Sequence, residues 1–390
     1  MPKVYDADDI VDQKNRMKRR KRLRQLTLIL LAAAVGTGLY FTRDKWYNKL
    51  RGIGEQYRTI VNTGQLAEGN FPIEVSGGAD YQLSLSEGRM MLLSDTYTYF
   101  YDTDGKLLKR RQHTYTNTVM CTAGRKALLY EQGGNELSVE DEDQIIYTKT
   151  FAKRQILFAR LSDEGYTAVV TTSENFNCEL TVYDKRGIGI YERKCTEMVS
   201  DLSFIDGSRG CVLSYISAEN GQLVTKVQEN SFNERQEHWT SPGLNTLGLH
   251  VYGFEGGAFV LGEEACGYVD SSGQISSFYS YDGEYVAGAS DKGNSAVIVN
   301  NDDRRKYVMA LFSGGDQEAL IIDLEEPSID VTIYEDLAYV MCQGKIMAYD
   351  FRGGLRSIAE VSDSYTGFVR SDDHIFLKGY NKIDRIDYES

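Results

Sequence analysis

A repeat of about 41 residues, kept by two independent marks, leaves this chain few folds to choose from. The first mark is a turn: strand-forming residues, often Tyr-Asp, enter a polar turn with Gly and leave as a second strand. The clearest copies are FYDTDGKLLKRR, VYDKRGIGIYER, YVDSSGQISSF and AYDFRGGLRSI, around Gly105, Gly187, Gly273 and Gly354. Weaker copies lie near Asp143, Asn230 and Gly315, and together the seven turns keep an even beat. The second mark is a short apolar run, found at Met90–Leu93, Ala127–Tyr130, Thr167–Val170, Cys211–Leu213, Ala258–Leu261, Ala296–Val299, Ala338–Met341 and His374–Leu377. Continuous rather than alternating apolar residues suit a strand buried on both faces.

A period near 40 with four strands per unit is the mark of a β-propeller. The ends give the blade count. The last unit has its buried strand at His374–Leu377 and a third strand at Ile383–Tyr388, and no fourth. A spare strand, Phe71–Val75, stands at the other end of the repeats. If the two pair, the ring closes and no open edge remains. The expected fold is all-β: a propeller of eight four-stranded blades, with seven as the alternative, preceded by one transmembrane helix.

That helix is expected at Gln25–Thr42, a stretch without a single charge set between Arg24 and Arg43. A helix rises about 1.5 Å per residue, so this length just crosses a hydrocarbon core. Trp46 and Tyr47 follow where an interfacial aromatic belt would sit. A cleaved signal peptide fits less well, because the leading region Met1–Arg24 is long and carries Asp6, Asp8, Asp9 and Asp12. Eight Lys or Arg residues crowd Lys14–Arg24. Basic flanks stay in the cytoplasm, so the N-terminus is expected inside and the C-terminal body outside the cell membrane. The domain plan is a basic cytoplasmic tail (1–24), a membrane span (25–42) that contacts lipid, a stalk (43–70) and an extracytoplasmic propeller (71–390). Trp46, Leu50, Ile53, Tyr57 and Ile60 form a helical stripe in the stalk, and Ala32/Gly36 and Ala34/Gly38 are small-residue pairs in the span. Both features suit a homodimer; the alternative is a plain tether.

Charge divides the chain. The full net charge is −14, residues 1–24 carry +5, and the remainder therefore carries −19. A body so acidic disfavours nucleic acid, whose binding rests on neutralised phosphates. All six cysteines lie beyond the span and none forms a C-x-x-C pair, which disfavours a zinc knuckle. Cys178 and Cys195 flank the turn at Gly187 almost symmetrically and form a candidate disulfide. No phosphate loop, H-E-x-x-H, G-x-S-x-G or kinase motif is present. The acidic stretches Asp102–Gly105 and Asn300–Asp303 do not complete a calcium loop, and Asp-Gly is a turn pair. No metal, cofactor or catalytic residue is expected from these motifs.

The D-x-x-G hairpins resemble those of quinoprotein-like propellers, a family that includes an outer-membrane assembly lipoprotein. There, a strand ending in Asp, two turn residues and Gly leads to a strand that often ends in Trp. The chain departs from that pattern: Trp239 is the only Trp beyond the stalk. The resemblance therefore does not imply pyrroloquinoline quinone or dehydrogenase activity. The arrangement looks like an uncharacterised family of Gram-positive single-pass membrane proteins with an extracytoplasmic propeller. That resemblance implies location and fold.

The links between blades should open on the face opposite the repeated turns. Read from sequence, they hold His113, Tyr115, His238, Trp239, Tyr279, Tyr281 and Tyr365, an aromatic rim suited to sugar rings or peptide segments. The expected function is a membrane-anchored scaffold that binds an extracytoplasmic protein or a cell-wall component. The alternative is a hydrolase or lyase acting on carbohydrate with carboxylates in the central funnel.

Overall fold

The eight apolar runs become eight buried strands. The computed structural model describes residues 60–387 except 63–65, 68, 77–79, 206, 235, 302–304, 316–317 and 372–373. The span expected at 25–42 and most of the stalk lie outside the described residues. Among the described residues, no helix is long and apolar enough to cross a membrane.

The apolar runs fall in the second strand of each blade: Arg89–Leu93, Lys126–Glu131, Thr167–Thr171, Gly210–Glu219, Gly257–Gly262, Asn294–Asn301, Leu337–Cys342 and His374–Gly379. Each is flanked by strands on both sides, in eight sheets of at least four strands. Both faces of these strands meet a neighbouring blade, which is why they read as unbroken apolar runs. Eight apolar clusters fill the gaps between successive blades. The core is thus a ring of wedges rather than one central mass.

The first strands are Gln82–Ser86, Thr118–Ala123, Ile156–Leu161, Met198–Ile205, Gly248–Phe254, Glu284–Asp291, Ser328–Tyr334 and Tyr365–Ser371. Each touches the first strand of the next blade all the way round, including blade 8 to blade 1. They line the central channel and are only half-buried over much of their length. The fourth strands form the perimeter: Leu107–Gln112, Ile145–Thr150, Gly189–Cys195, Glu237–Thr240, Ile275–Ser280, Leu320–Leu324, Leu355–Glu360 and, in blade 8, Ile73–Glu74.

Blade 8 closes as expected. Its third strand, Lys382–Asp387, pairs antiparallel with Ile73–Glu74, Ile73 opposite Ile383. Leu66 bridges Ile386, and Val75 N–H donates to the Asn381 carbonyl at 2.8 Å. The chain enters the fold earlier than the sequence indicates. Ile60–Asn62, placed in the stalk by its helical stripe, is a strand that runs parallel to Ser357–Ala359 and adds a fifth strand to blade 7. Unpaired backbone groups on an outer edge won over a weak helical period.

The D-x-x-G turns explain how blades lock to one another. In blades 1, 3, 5 and 7 the carboxylates of Asp102, Asp184, Asp270 and Asp350 each accept from the backbone N–H groups two and four residues on, at 2.7–3.1 Å. The glycines at the third place, Gly105, Gly187, Gly273 and Gly353, have φ of +75° to +83°. They also press against the preceding perimeter strand or its lead-in. A Cβ at Gly187 would lie 2.8 Å from the Tyr147 ring, at Gly273 3.1 Å from Trp239, at Gly353 2.9 Å from Leu320, and at Gly105 3.0 Å from Phe71. Only glycine gives both the left-handed backbone and the close approach.

Candidate functional site

The channel is built from polar side chains set into otherwise apolar first strands. On one side, blades 2 to 5 contribute Cys121, Arg160, Asp201 and His250. Arg160 Nη2 donates to Asp201 Oδ1 at 2.5 Å, and Val251 N–H donates to Asp201 Oδ2 at 3.0 Å. His250 Nδ1 lies 3.4 Å from the same oxygen, with its ring half-exposed to the channel. Burial pushes the Asp201 carboxyl up, but His250, the Arg160 charge and the Val251 N–H outweigh it and leave its pKa below the ordinary value. The Cys121 thiol donates to the Ala159 carbonyl at 3.4 Å, and its burial raises its pKa.

The opposite side is formed by blades 7, 8, 1 and 2. A cavity of about 480 Å³ opens there, bordered by Gln82, Ser84, Met120, Asp330, Gly367 and Lys378 among others. Gln82 bonds across to blade 2, donating to the Thr118 carbonyl at 3.1 Å and accepting from Met120 N–H at 3.0 Å. The Ser84 and Thr122 hydroxyls are also bonded to each other. Asp330 accepts from its neighbour Val331 N–H at 2.9 Å. Burial pushes the Asp330 carboxyl up; the N–H groups of Phe368 and Val331 and the Lys378 charge pull back without cancelling it.

These carboxylates have a local cause. In blades 3 to 8 the pairing of first and second strands slips near the first strand's start, as at Gly248/His250 and Tyr365/Gly367. Such a bulge leaves a residue unpaired. Asp201 reaches Val251 just past the slip in blade 5, and Asp330 reaches Phe368 just past the slip in blade 8. Asp201 and Asp330 stand three blades apart, so they do not form a pair. At one mouth of the channel, Glu87, Glu164 and Asp291 act on Asp163, whose carboxyl is raised first by burial and then by these like charges. Among the described residues, no group of three His, Cys, Asp or Glu is placed to hold a metal ion.

Of the seven rim residues, the structure brings the rings of His113 and Tyr115 to 6.2 Å and those of Tyr279 and Tyr281 to 6.1 Å. His113 and Tyr115 lie in the link between blades 1 and 2; His113 Nε2 sits 2.9 Å from the Ser94 carbonyl oxygen, and Tyr115 packs on the cluster that holds Met91 and Met120. Tyr281 is in the link after blade 5, its ring 6.4 Å from that of Tyr285. Tyr365 opens the first strand of blade 8 and is buried, its hydroxyl donating to Asp384 at 2.6 Å. It also borders a second cavity of about 350 Å³ between blades 7 and 8.

Three residues are not where the links were drawn. His238 and Trp239 belong to the fourth strand of blade 4, and Tyr279 to that of blade 5. Glu229, opposite Trp239, accepts from Trp239 Nε1 at 2.7 Å and from His238 Nδ1 at 2.8 Å, and raises the imidazole pKa. Trp239 then docks on Gly273 of the next blade, as Tyr147 of blade 2 docks on Gly187 of blade 3.

The profile of a family of unknown function, DUF5711, matches residues 67–387. The chain belongs to the DUF5711 family. No curated protein sequence matches this DUF5711 chain. Its fold is similar to a computationally designed protein, Ika8 (13% identity, TM-score 0.60, 81% of this chain and 100% of that one). It is similar to BamB from Moraxella catarrhalis (11%, 0.55, 83% and 100%) and to Sqt1 from Saccharomyces cerevisiae (10%, 0.60, 84% and 100%). At such identities the DUF5711 chain shares a fold with them, an eight-bladed ring in its own case.

Sequence reading missed Arg160, Asp201, His250, Asp330 and Lys378. A signal was available: Cys121, Arg160 and Asp201 follow one another at the spacing of the repeat. Each is a polar residue in a strand-forming run just ahead of a buried second strand.

Proposed function

We propose that this DUF5711 chain is a membrane-tethered, extracytoplasmic propeller that scaffolds a protein or a cell-envelope component. The observation that carries it is the seam. The strands that follow the apolar segment, Ile60–Asn62 and Ile73–Glu74, are stitched into blades 7 and 8. A tether upstream would therefore hold the ring at one place and leave the other blades and both faces for partners. The basic residues at Lys14–Arg24, the uncharged stretch 25–42 and the −19 charge of the remainder support the topology, since a basic flank stays inside. The Asp201 carboxylate, spent on Arg160 and Val251 of the neighbouring blades, supports a binding role over a chemical one.

The test is a C-terminal tag on the full chain in intact cells. Protease should remove it, and biotin labelling from the same end should mark envelope proteins reproducibly. A tag protected until the membrane is breached would end the proposal. A second reading, a carbohydrate hydrolase or lyase, has one observation in its favour: the raised Asp163 among Glu87, Glu164 and Asp291 at a channel mouth. Cleavage of a wall polysaccharide that Asp163→Asn abolishes would favour it.

A further inference from the structure

Lys378 is a cation that lies over an aromatic ring and has no carboxylate partner in contact among the described residues. It sits on the second strand of blade 8, directly opposite Gly367. Its ammonium lies 5.0 Å from the centre of the Tyr81 ring. That ring is itself fixed, because the Tyr81 hydroxyl bonds to the Gly379 and Lys382 carbonyls at 2.8 and 3.0 Å. Two other cations in the fold are paired with carboxylates, Arg160 with Asp201 in the channel and Lys382 with Asp384 in blade 8. Lys378 Nζ has no such hydrogen bond or ion pair among the described residues, and it borders the channel cavity.

The facing wall supplies the opposite chemistry. A Cβ on Gly367 would meet only Asp330 Oδ2, at 3.5 Å, so the missing side chain keeps a window between the carboxyl and the lysine strand. Asp330 and Lys378 are close enough to act on each other but are not in contact. Met120, Phe368 and Leu83 give the cavity an apolar side. Its volume of about 480 Å³ lies within the range of small-molecule sites. A simple anion on Lys378 would face the Asp330 carboxyl, and a simple amine on Asp330 would face the lysine. A ligand that carries both groups answers both.

We propose that this pocket takes an α-carboxylate with an N–H donor beside it: the carboxylate on Lys378, the N–H on Asp330, and an apolar side chain toward Met120 and Phe368. A free amino acid and the C-terminal end of a peptide share that chemistry. The pocket does not depend on the tether, so its failure and the failure of the scaffold reading are distinguishable.

The test is calorimetric titration of the purified full-length chain in detergent micelles with leucine, N-acetyl-leucine and leucinamide. At least one of the two carboxylates should bind, and leucinamide, which lacks the carboxylate, should bind at least ~10-fold more weakly. Binding of leucine alone identifies a free amino acid; binding of N-acetyl-leucine identifies a chain end. Lys378→Met should weaken the carboxylate ligand by ~10-fold with little change in melting temperature, because the ammonium takes part in no ion pair of the fold, and Lys378→Arg should restore binding. Equal binding of leucinamide, an affinity that Lys378→Met does not alter, or no binding of either carboxylate at millimolar concentration would each overturn the proposal.

Discussion

The closing strand is two residues long, yet the ring depends on it, and Ile73→Ala measures how much. Ile73 is 7% exposed and packs with Phe71, Val75, Tyr81, Met90 and Ile383 in the cluster between blades 8 and 1. The substitution removes three carbons. At about 0.8 kcal/mol per buried carbon group the transfer loss is roughly 2.4 kcal/mol. The cavity left in a closed wedge brings the total to about 3 kcal/mol. For a domain of this size, with about 2.1 cal/mol/K of unfolding entropy per residue, that lowers the melting temperature by about 4 °C. Ile321→Ala is the control: Ile321 is 45% exposed on the perimeter of blade 6 and should cost at most ~0.5 kcal/mol. Hydrogen exchange locates the damage. Amides of Lys382–Asp387 should exchange faster in Ile73→Ala, while those of Gly257–Gly262 in blade 5 change less, because local opening precedes global unfolding. If Ile73→Ala melts with the unaltered chain, or if blade 5 loosens as much as blade 8, the seam is not what holds the ring shut.

Three further outcomes are expected. Gly273→Ala should cost more than Gly221→Ala by denaturant unfolding: both have φ of +81°, but a Cβ at Gly221 meets nothing within 4 Å and one at Gly273 meets Trp239 at 3.1 Å; equal losses would remove the docking account. Cys178 and Cys195 are free thiols paired directly across the third and fourth strands of blade 3, so a disulfide exchange reagent should take two hydrogens from the pair and leave Cys211 and Cys266 reduced; intact mass with thiol alkylation reads this, and six alkylated thiols after oxidation would exclude the bond. Asp330 holds its proton more tightly folded than unfolded, so it contributes a loss of stability as pH rises from the ordinary Asp range, about 3.9, through its raised value. Asp330→Asn should flatten that part of the stability curve and leave the chain at least as stable at neutral pH; a steeper fall with pH would contradict it.

The repeat was legible because burial on two faces erases alternation. A strand with a blade on either side has no polar side, so Met90–Leu93 and its counterparts stand out as unbroken apolar runs. The turns were legible because one Asp and one Gly do separable jobs, capping N–H groups and allowing a positive φ. The limits appear where partners lie in another blade. Trp239 was misplaced because its strand is short, four residues, and its sequence EHWT is no more strand-like than a link. What defines it is Glu229, on the strand before it, and Gly273, in the next blade. Ile60 was misplaced because it ends the hydrophobic stripe of the stalk, while the strand it pairs with, Ser357–Ala359 in blade 7, lies far along the chain.

The channel was hidden for a different reason. Its residues answer to bulges, and a bulge leaves no mark of its own in the sequence. Asp201 looks like a lone charge in MVSDLSFI until the slip in blade 5 exposes the Val251 N–H to it. Asp330 in SIDVTIY is the same device three blades on, with Val331 and Phe368 in place of Val251 and with no arginine. The two sites are one structural solution and differ in what faces them. Arg160 closes the first into a salt bridge, whereas Gly367 withholds a side chain from the second and Lys378 stays at a distance. A ring that only needed its bulges capped would have no reason to fill one such position and leave the other open. The open one is where a ligand should be sought.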